Sequence, residues 1–456
     1  MSVSMARKFK TVDYDAALNQ TVTLGECLAP NHLARFVVNV IALLDLSGIY
    51  ARYAAVGGWA IAPEILLGLL FYGYATGVFS SRKIEQATYE SIPFRFIAGG
   101  LHPDHDTIAN FRKTFLSEIK DLFAQVLLVA QESGALTLGN VSIDGTKIHA
   151  DASKSHAVSY KRLLELESQL RKEVDELFKM AEQADQAELP EGLSIADEIA
   201  FREQRLANLG QAKQVLEARA QERYELEQAE YEAKMRERER KAQEEGRKPG
   251  GRPPEPPTPG PRDDDQYNFT DPESRIMKNS ANQGFDQHYN AQAVVDQASF
   301  LVVGNALSNH PNDYGQAIPD LDAVPSELGK PDAAALDFGF FSKANIDQME
   351  ARGIEPYIAT GREPHHRNWQ AYFAAEPAPP AADASPRVTM AYKLQTEIGK
   401  AIYRLRKCTV EPVIGIIKEA LGFRQFSLRG LAAAAGEWCL VCLAFNLKRL
   451  HVLLAA

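Results

Sequence analysis

Cysteine is scarce in this sequence: four among 456 residues, Cys27, Cys408, Cys439 and Cys442. That is too few for a disulfide scaffold and fits a reducing compartment. Cys439 and Cys442 form a lone CxxC within the apolar run EWCLVCLAFNL. A zinc site would lack half of its ligands there, so core packing is the reading taken. Long apolar runs are missing as well. The longest uncharged one, Ile65 to Phe79, is interrupted by Gly and Tyr and falls short of the roughly 20 residues that span a bilayer. A buried helix is expected there. The opening stretch MSVSMARKFKTVDYD has no apolar signal core, so a cytoplasmic chain without a membrane partner is expected. A surplus of positive charge is also absent: 50 basic against 60 acidic side chains, net −10, argues against a uniformly basic nucleic-acid coat.

What is present is unevenly distributed. Residues 161–246 carry a net −7 and residues 247–387 a net −8, whereas residues 388–456 carry ten basic against four acidic side chains. With 45% hydrophobic and 24% charged residues, the chain has a globular composition. Its length is that of about two to four domains.

Residues 1–135 read as a helical domain. Pro30-Asn31 begins an apolar-periodic run through Leu46, with Asn31 as candidate cap, and Pro63 opens another through Val78. Ser80 and Asp104 are candidate caps of SSRKIEQATYE and DHDTIANFRKTF. In the latter, Ile108, Phe111 and Phe115 share a face that Arg112 and Lys113 leave. Two short helices with partly basic faces suit either a helix-turn-helix-like reader of a DNA groove or a bundle with solvated charges; the local pattern favours the bundle. Residues 136–159 switch to short β-branched runs. Gly139-Asn140 and Gly145-Thr146 are turn signals, predicting a meander with Asp144 at the end of the strand VSID.

In residues 160–246, Leu163, Leu166, Leu170, Val174 and Leu177 recur at helical steps, and LPEG (189–192) breaks the pattern. An inserted helical hairpin or coiled-coil arm is expected. Residues 247–265 are a Pro/Gly-rich linker, in which Gly251-Arg252-Pro253 beside Lys248 resembles a minor-groove hook; linker is the preferred reading. Residues 266–456 return to strands (YNAQAVVD, FLVVGNALS, AAALDFG, PYIAT) and a helix capped by Ser342. Basic helices follow, with Pro412 at a helix start and Gly422 near an end.

Three acids stand in telling settings: Asp144 before Gly-Thr, Asp337 before Phe-Gly, and Glu411 in KCTVEPVIGIIKEALGFRQF. Carboxylates are the ligands of hard divalent ions, and two such ions can clamp an in-line phosphoryl transfer. With 60 acids in the chain, some fall at strand ends by chance, and on these residues alone chance placement is the preferred reading. In SNHPND, Asn309, His310 and Asp313 either line a site or form a turn, and the turn is preferred. His365-His366 has no evident ligand partner.

The blocks SIDGTKIHADAS, SRIMKNSANQGFDQHYNAQAVVD, ALDFGFFSKANI and RKCTVEPVIGIIKEALGFRQFSLRGL resemble, in order, those of bacterial insertion-sequence transposases of the DDE class. SRKIEQATYESIPFRFIAGGLHPDHDTIANFRKTF resembles the family's helical N-terminal domain, which implies binding to the element's DNA ends. The resemblance implies an α/β RNase H-like core, a mixed sheet with flanking helices, interrupted by the arm. It implies catalytic and metal-binding roles for Asp144, Asp337 and Glu411, two Mg²⁺ or Mn²⁺ ions, cleavage at the element's ends and strand transfer into target DNA.

A Tyr, Arg, Glu, Lys signature falls on Tyr403, Arg406, Glu411 and Lys418, with the Arg-to-Glu spacing one residue longer than usual. The resemblance implies that Lys418, Arg406 and Tyr403 contact DNA; Lys407, Arg424 and Arg429 would extend this basic track, and Arg112 and Lys113 would contact DNA from the N-terminal domain. Phe338 replaces the small residue usual after the second Asp and would press on the site. The alternative function is a catalytically impaired relic that only binds DNA. Double-stranded DNA and a dimer or larger assembly on it are the implied partners, in the bacterial cytoplasm near the nucleoid.

Overall fold

The computed structural model describes residues 15, 19, 21, 23–54, 58–184, 194–245, 252–279, 284–361, 377–381 and 383–455. The early part of the chain is helical: α1 (Leu33–Ile41), α2 (Pro63–Ala75), α3 (Ser81–Glu90), α4 (Ile92–Ile97), α5 (His105–Thr114) and α6 (Leu116–Glu132). Pro63 occupies the first turn of α2, where its missing N–H costs nothing. Asp104 caps α5, accepting the Thr107 N–H at 2.7 Å. The cap of α1 is His32, whose Nδ1 accepts from Ala34 at 3.1 Å, rather than Asn31. Because α4 intervenes between α3 and α5, the expected helix pair is a three-helix unit.

Central to the sheet is β1 (Val141–His149). It is one continuous strand, not the expected meander, and Gly145-Thr146 lies within it rather than at a turn. The reason is its partner: after the short β2 (Ala157–Ser159), β3 (Gln266–Asn268) and β4 (Arg275–Lys278), β5 (Phe285–Asp296) pairs antiparallel along all of β1. The ladder runs from Val141 opposite Asp296 to His149 opposite His288. The other edge of β5 is shared by β4 and β6 (Val302–Ser308). On the far side of β1, β7 (Ala333–Leu336) and then β8 (Glu355–Ile358) run parallel. The strands β7 and AVV of β5 are nearly all apolar and fully buried, as a sheet covered on both faces requires.

Between β2 and β3 the chain leaves the sheet as α7 (Tyr160–Ala184) and α8 (Ile195–Glu245), then returns so that Ser159 stands opposite Gln266. The two helices pack through Leu163, Leu170, Leu209 and Leu216, a separate small core that includes Val158 of β2. Of the expected repeat, Leu163, Leu170 and Val174 are buried. LPEG (189–192), Lys248, Gly251 and His365-His366 lie outside the described residues. Residues 252–265 form neither helix nor strand, and Arg223 ties both oxygens of Asp265 at 2.9 Å.

The remaining helices flank the sheet: α9 (Ala317–Asp322), α10 (Lys343–Ala351), α11 (Pro386–Lys393), α12 (Glu397–Gly415) and α13 (Leu431–Ala455). Ser342 caps α10 as expected. Pro412 does not start a helix. It sits inside α12, which passes into a π turn at Ile416–Ala420 and ends before Gly422 at φ 80°. Proline removes one backbone donor, and a π turn is a local way to absorb that misfit. Helix α13 is the one described helix long and apolar enough to cross a membrane. Here it packs against α2, α6 and β6, with Cys439 and Cys442 buried, and Asn446 bonds both the N–H and C=O of Val302.

One buried polar knot joins the N-terminal helices to α13. Tyr74 donates to Glu437 at 2.9 Å, Arg112 donates to Tyr74 at 2.7 Å, and the Ser427 and Leu428 N–H groups donate to Glu437. Arg112 is only 6% exposed. The expectation that it leaves the apolar face for solvent is therefore corrected. Its guanidinium is drawn inward because Glu437, fully buried, needs a cation to offset its desolvation.

Candidate active site

The parallel ladder between β1 and β7 pairs Ser142 with Ala335 and Ile143 with Leu336. The next residue on each strand is Asp144 and Asp337. Adjacent strands lie about 4.8 Å apart, so the two acids form the rung just beyond the end of β7. Since β1 continues while β7 stops, its edge on that side opens a notch beyond Ile143, which closes again at His149, where the backbone bonds Arg424 and Phe426. Asp144 is thus not at a strand end, as expected, but beside a notch made by its neighbour's end.

Alternation along β1 sends Ser142 and Asp144 to the face covered by α12. Thr409 of α12 donates to Ser142 Oγ at 2.8 Å. One turn earlier, Arg406 lies between two acids, with Nη1 3.2 Å from Asp144 Oδ2 and Nη2 3.4 Å from Glu411 Oε1. Glu411 is half exposed and Arg406 is buried. Tyr403 stacks its ring 5.8 Å from the guanidinium carbon. Arg406, expected along the DNA, is instead an internal cation of the acid cluster.

Burial pushes the Asp144 carboxyl up to about 7, with Asp337 and Asp313 adding repulsion and Arg406 opposing the rise. Burial likewise raises Asp337, against the Gly339 N–H that donates to its Oδ1 at 2.7 Å. Arg406 is desolvated too, but Tyr403 and the surrounding carboxylates outweigh this and hold it above the ordinary range. The cluster therefore carries more negative charge than one guanidinium comfortably balances. Phe338 does not press on it: after Asp337 the ring turns outward and is 43% exposed.

Among the described residues, no three His, Cys, Asp or Glu side chains already stand around a common point as metal ligands. The donor set nonetheless fits a hard divalent cation, being all oxygen and mutually repelling. Asp144 and Asp337 are the residues that could hold it, with Glu411 on the other side of the Arg406 guanidinium.

Of the expected basic track, Lys418 comes closest. Its half-buried Nζ donates to Thr146 Oγ1 at 3.1 Å and to the Lys147 carbonyl at 3.3 Å, which directs it to β1 just past Asp144. Desolvation lowers its affinity for a proton. Lys418 lies inside the π turn, whereas Glu411 lies in the regular helix before it, so their common face is not that of a regular helix. Arg424 is exposed and pairs with Glu419, and Arg429 reaches Asp151 at 2.8 Å. Lys407 and Lys113 are exposed, the latter away from the rung on the rim of a groove between α6 and α13.

One residue of the SNHPND segment both opens a turn and stands beside the rung. Asp313, assigned to a turn, accepts from Asn290 at 2.7 Å and from Gln292 at 2.6 Å, and it is near enough to add repulsion at both Asp144 and Asp337. Its signal was the N-x-Q spacing in YNAQAVVD, which places both amides on one face of β5.

A transposase domain (DUF772) matches residues 22–114, and a transposase DDE domain matches residues 381–451. The second match contains Tyr403, Arg406, Glu411 and Lys418; Asp144 and Asp337 lie outside both. No curated protein and no solved structure matches the chain.

Proposed function

We propose, from the premise that this chain is an insertion-sequence DDE transposase, that Asp144, Asp337 and Glu411 are its catalytic acids. In this reading the protein cuts DNA at the element's ends and joins the freed 3′-hydroxyl to target DNA. The observation that carries it is the rung: two acids of adjacent parallel strands stand side by side at an open notch, with Glu411 brought to the same place by α12.

The strand order agrees with an RNase H-like core, in which antiparallel strands flank one side of β1 and parallel strands the other. The helices α7 and α8 would then be an arm inserted into that core, and residues 33–132 the unit that reads the element's ends. Asp144, Asp337 and Glu411 would hold two Mg²⁺ or Mn²⁺ ions, which when bound supply charge neutralisation at the phosphoryl group. The chain's own residues do the positioning. Arg406 keeps the acids gathered before the cation arrives. Lys418, held against β1 with one of its donors unspent by the two bonds above, is placed for a phosphate oxygen, and Lys407, Arg424 and Arg429 extend that contact along the backbone. Holding two ends together calls for a dimer or larger assembly on DNA. The outward Phe338 removes the steric argument for a relic.

The test incubates purified full-length protein with duplexes carrying the sequences that flank its gene, a supercoiled target plasmid and Mg²⁺. Joined products with 3′ ends mapping to the element's termini are expected. End binding without cutting in either Mg²⁺ or Mn²⁺ would establish the relic instead.

A further inference from the structure

We propose that Asp313 is a further carboxylate of the cation site, acting with Asp144 and Asp337. This rests on the reading of that site given above. Three observations converge on it. First, Asp313 reaches the rung from the face opposite α12. Gly145 makes this possible: a Cβ there would stand 2.6 Å from Asp313 Oδ1 and would also collide with the Gln292 amide, so any other residue would shut the approach. Gly145 is followed in register by Gln292 and, two residues on, by Asn290 opposite Lys147, all on this second face.

Second, both amides donate to the same oxygen of Asp313, Oδ1. The carboxylate is thereby fixed in orientation with Oδ2 left toward Gly339, where the Asp337 carboxylate also lies. An acid oriented by two neutral donors, with its other oxygen turned to a second acid, is arranged as a ligand whose supporting shell is already in place. Third, fully buried Gln292 carries an Oε1 with no hydrogen-bond partner among the described residues, held over Gly145 beside the rung. A buried acceptor left unsatisfied is destabilising, and a water on a bound cation would satisfy it. The rung is therefore enclosed from two sides, by Arg406 through α12 and by Asp313 through the opening at Gly145.

The experiment measures Mn²⁺ binding to the full-length chain by calorimetry and by loss of the free-ion electron paramagnetic resonance signal, for wild type, Asp313→Asn and Asp313→Cys. Asp313→Asn is expected to weaken binding by about tenfold or more while melting as a folded protein. Asp313→Cys is expected to lose Mn²⁺ but gain Cd²⁺ binding over wild type, because thiolate prefers the softer ion. Mn²⁺ binding by Asp313→Asn equal to wild type overturns the role of Asp313 alone. A wild type that binds no Mn²⁺ overturns it together with the reading on which it rests.

Discussion

Replacing Asp144 by Asn should stabilise the cation-free protein, and by an amount that grows with pH. The Asp144 carboxyl titrates near 7 in the folded chain against 3.8 in its ordinary state. Below about pH 4 both states hold the proton and the residue is neutral in its effect. Between that and pH 7 the unfolded chain releases the proton while the folded chain retains it, so stability falls as pH rises. Above 7 the loss is complete. A difference of about 3 units at 1.36 kcal/mol per unit sets the full loss at roughly 4 kcal/mol. This value already includes the attraction of Arg406, since the raised titration is the net of burial and repulsion against that pairing. Asn cannot titrate, so the stability of Asp144→Asn minus that of wild type should climb by up to this amount from pH 4.5 to pH 8. Urea denaturation at several pH values without divalent cation reads the difference, in which titrating groups remote from Asp144 cancel. A gap independent of pH, or a variant less stable at pH 8 than at pH 4.5 relative to wild type, would refute the claim that the rung is strained by its own charge.

Arg112→Ala should destabilise the protein by about 3–5 kcal/mol in urea, because fully buried Glu437 would lose its cation; a cost near zero would show that Tyr74 and the Ser427 and Leu428 amides suffice. Asp320, fully buried with neither oxygen bonded among the described residues, is pushed well up by burial and by Asp313. Asp320→Asn should therefore raise stability at neutral pH and lose that advantage in acid, a trend checked by melting at pH 4.5 and pH 8. Arg429→Ala should reduce the slope of log affinity against log salt for DNA by about 1 without changing sequence preference, as measured by fluorescence anisotropy.

Much of this architecture was legible because local signals agree with the fold. Asp104 and Ser342 cap helices, Pro63 begins one, and the apolar runs at 289–296 and 333–336 are buried strands. The failures have a common cause in long-range pairing. Gly145-Thr146 reads as a turn, yet its glycine serves as a gap through which Asp313 and Gln292 approach across 150 residues or so of chain. Pro412 reads as a start, yet tertiary packing of α12 on β1 carries the helix through it. Arg112 and Arg406 read as surface cations because periodicity shows which face a side chain leaves and not which buried acid awaits it. Glu437 and Asp144 are both distant in sequence. Asp313 does open a turn, its carbonyl accepting from Gln316, but its nearness to the rung depends on two amides of a different strand that no local pattern reveals.

The most direct test of the central claim is single-turnover cleavage of end-containing DNA in Mg²⁺ by wild type, Asp144→Asn, Asp337→Asn and Glu411→Gln, each first shown to bind that DNA. Wild type is predicted to release 3′-hydroxyl ends at the element's termini, and each of the three variants to fall below detection while binding normally. Cleavage by Asp144→Asn or Asp337→Asn at the wild-type rate would contradict the account, since the rung between β1 and β7 would then not be where the DNA is cut.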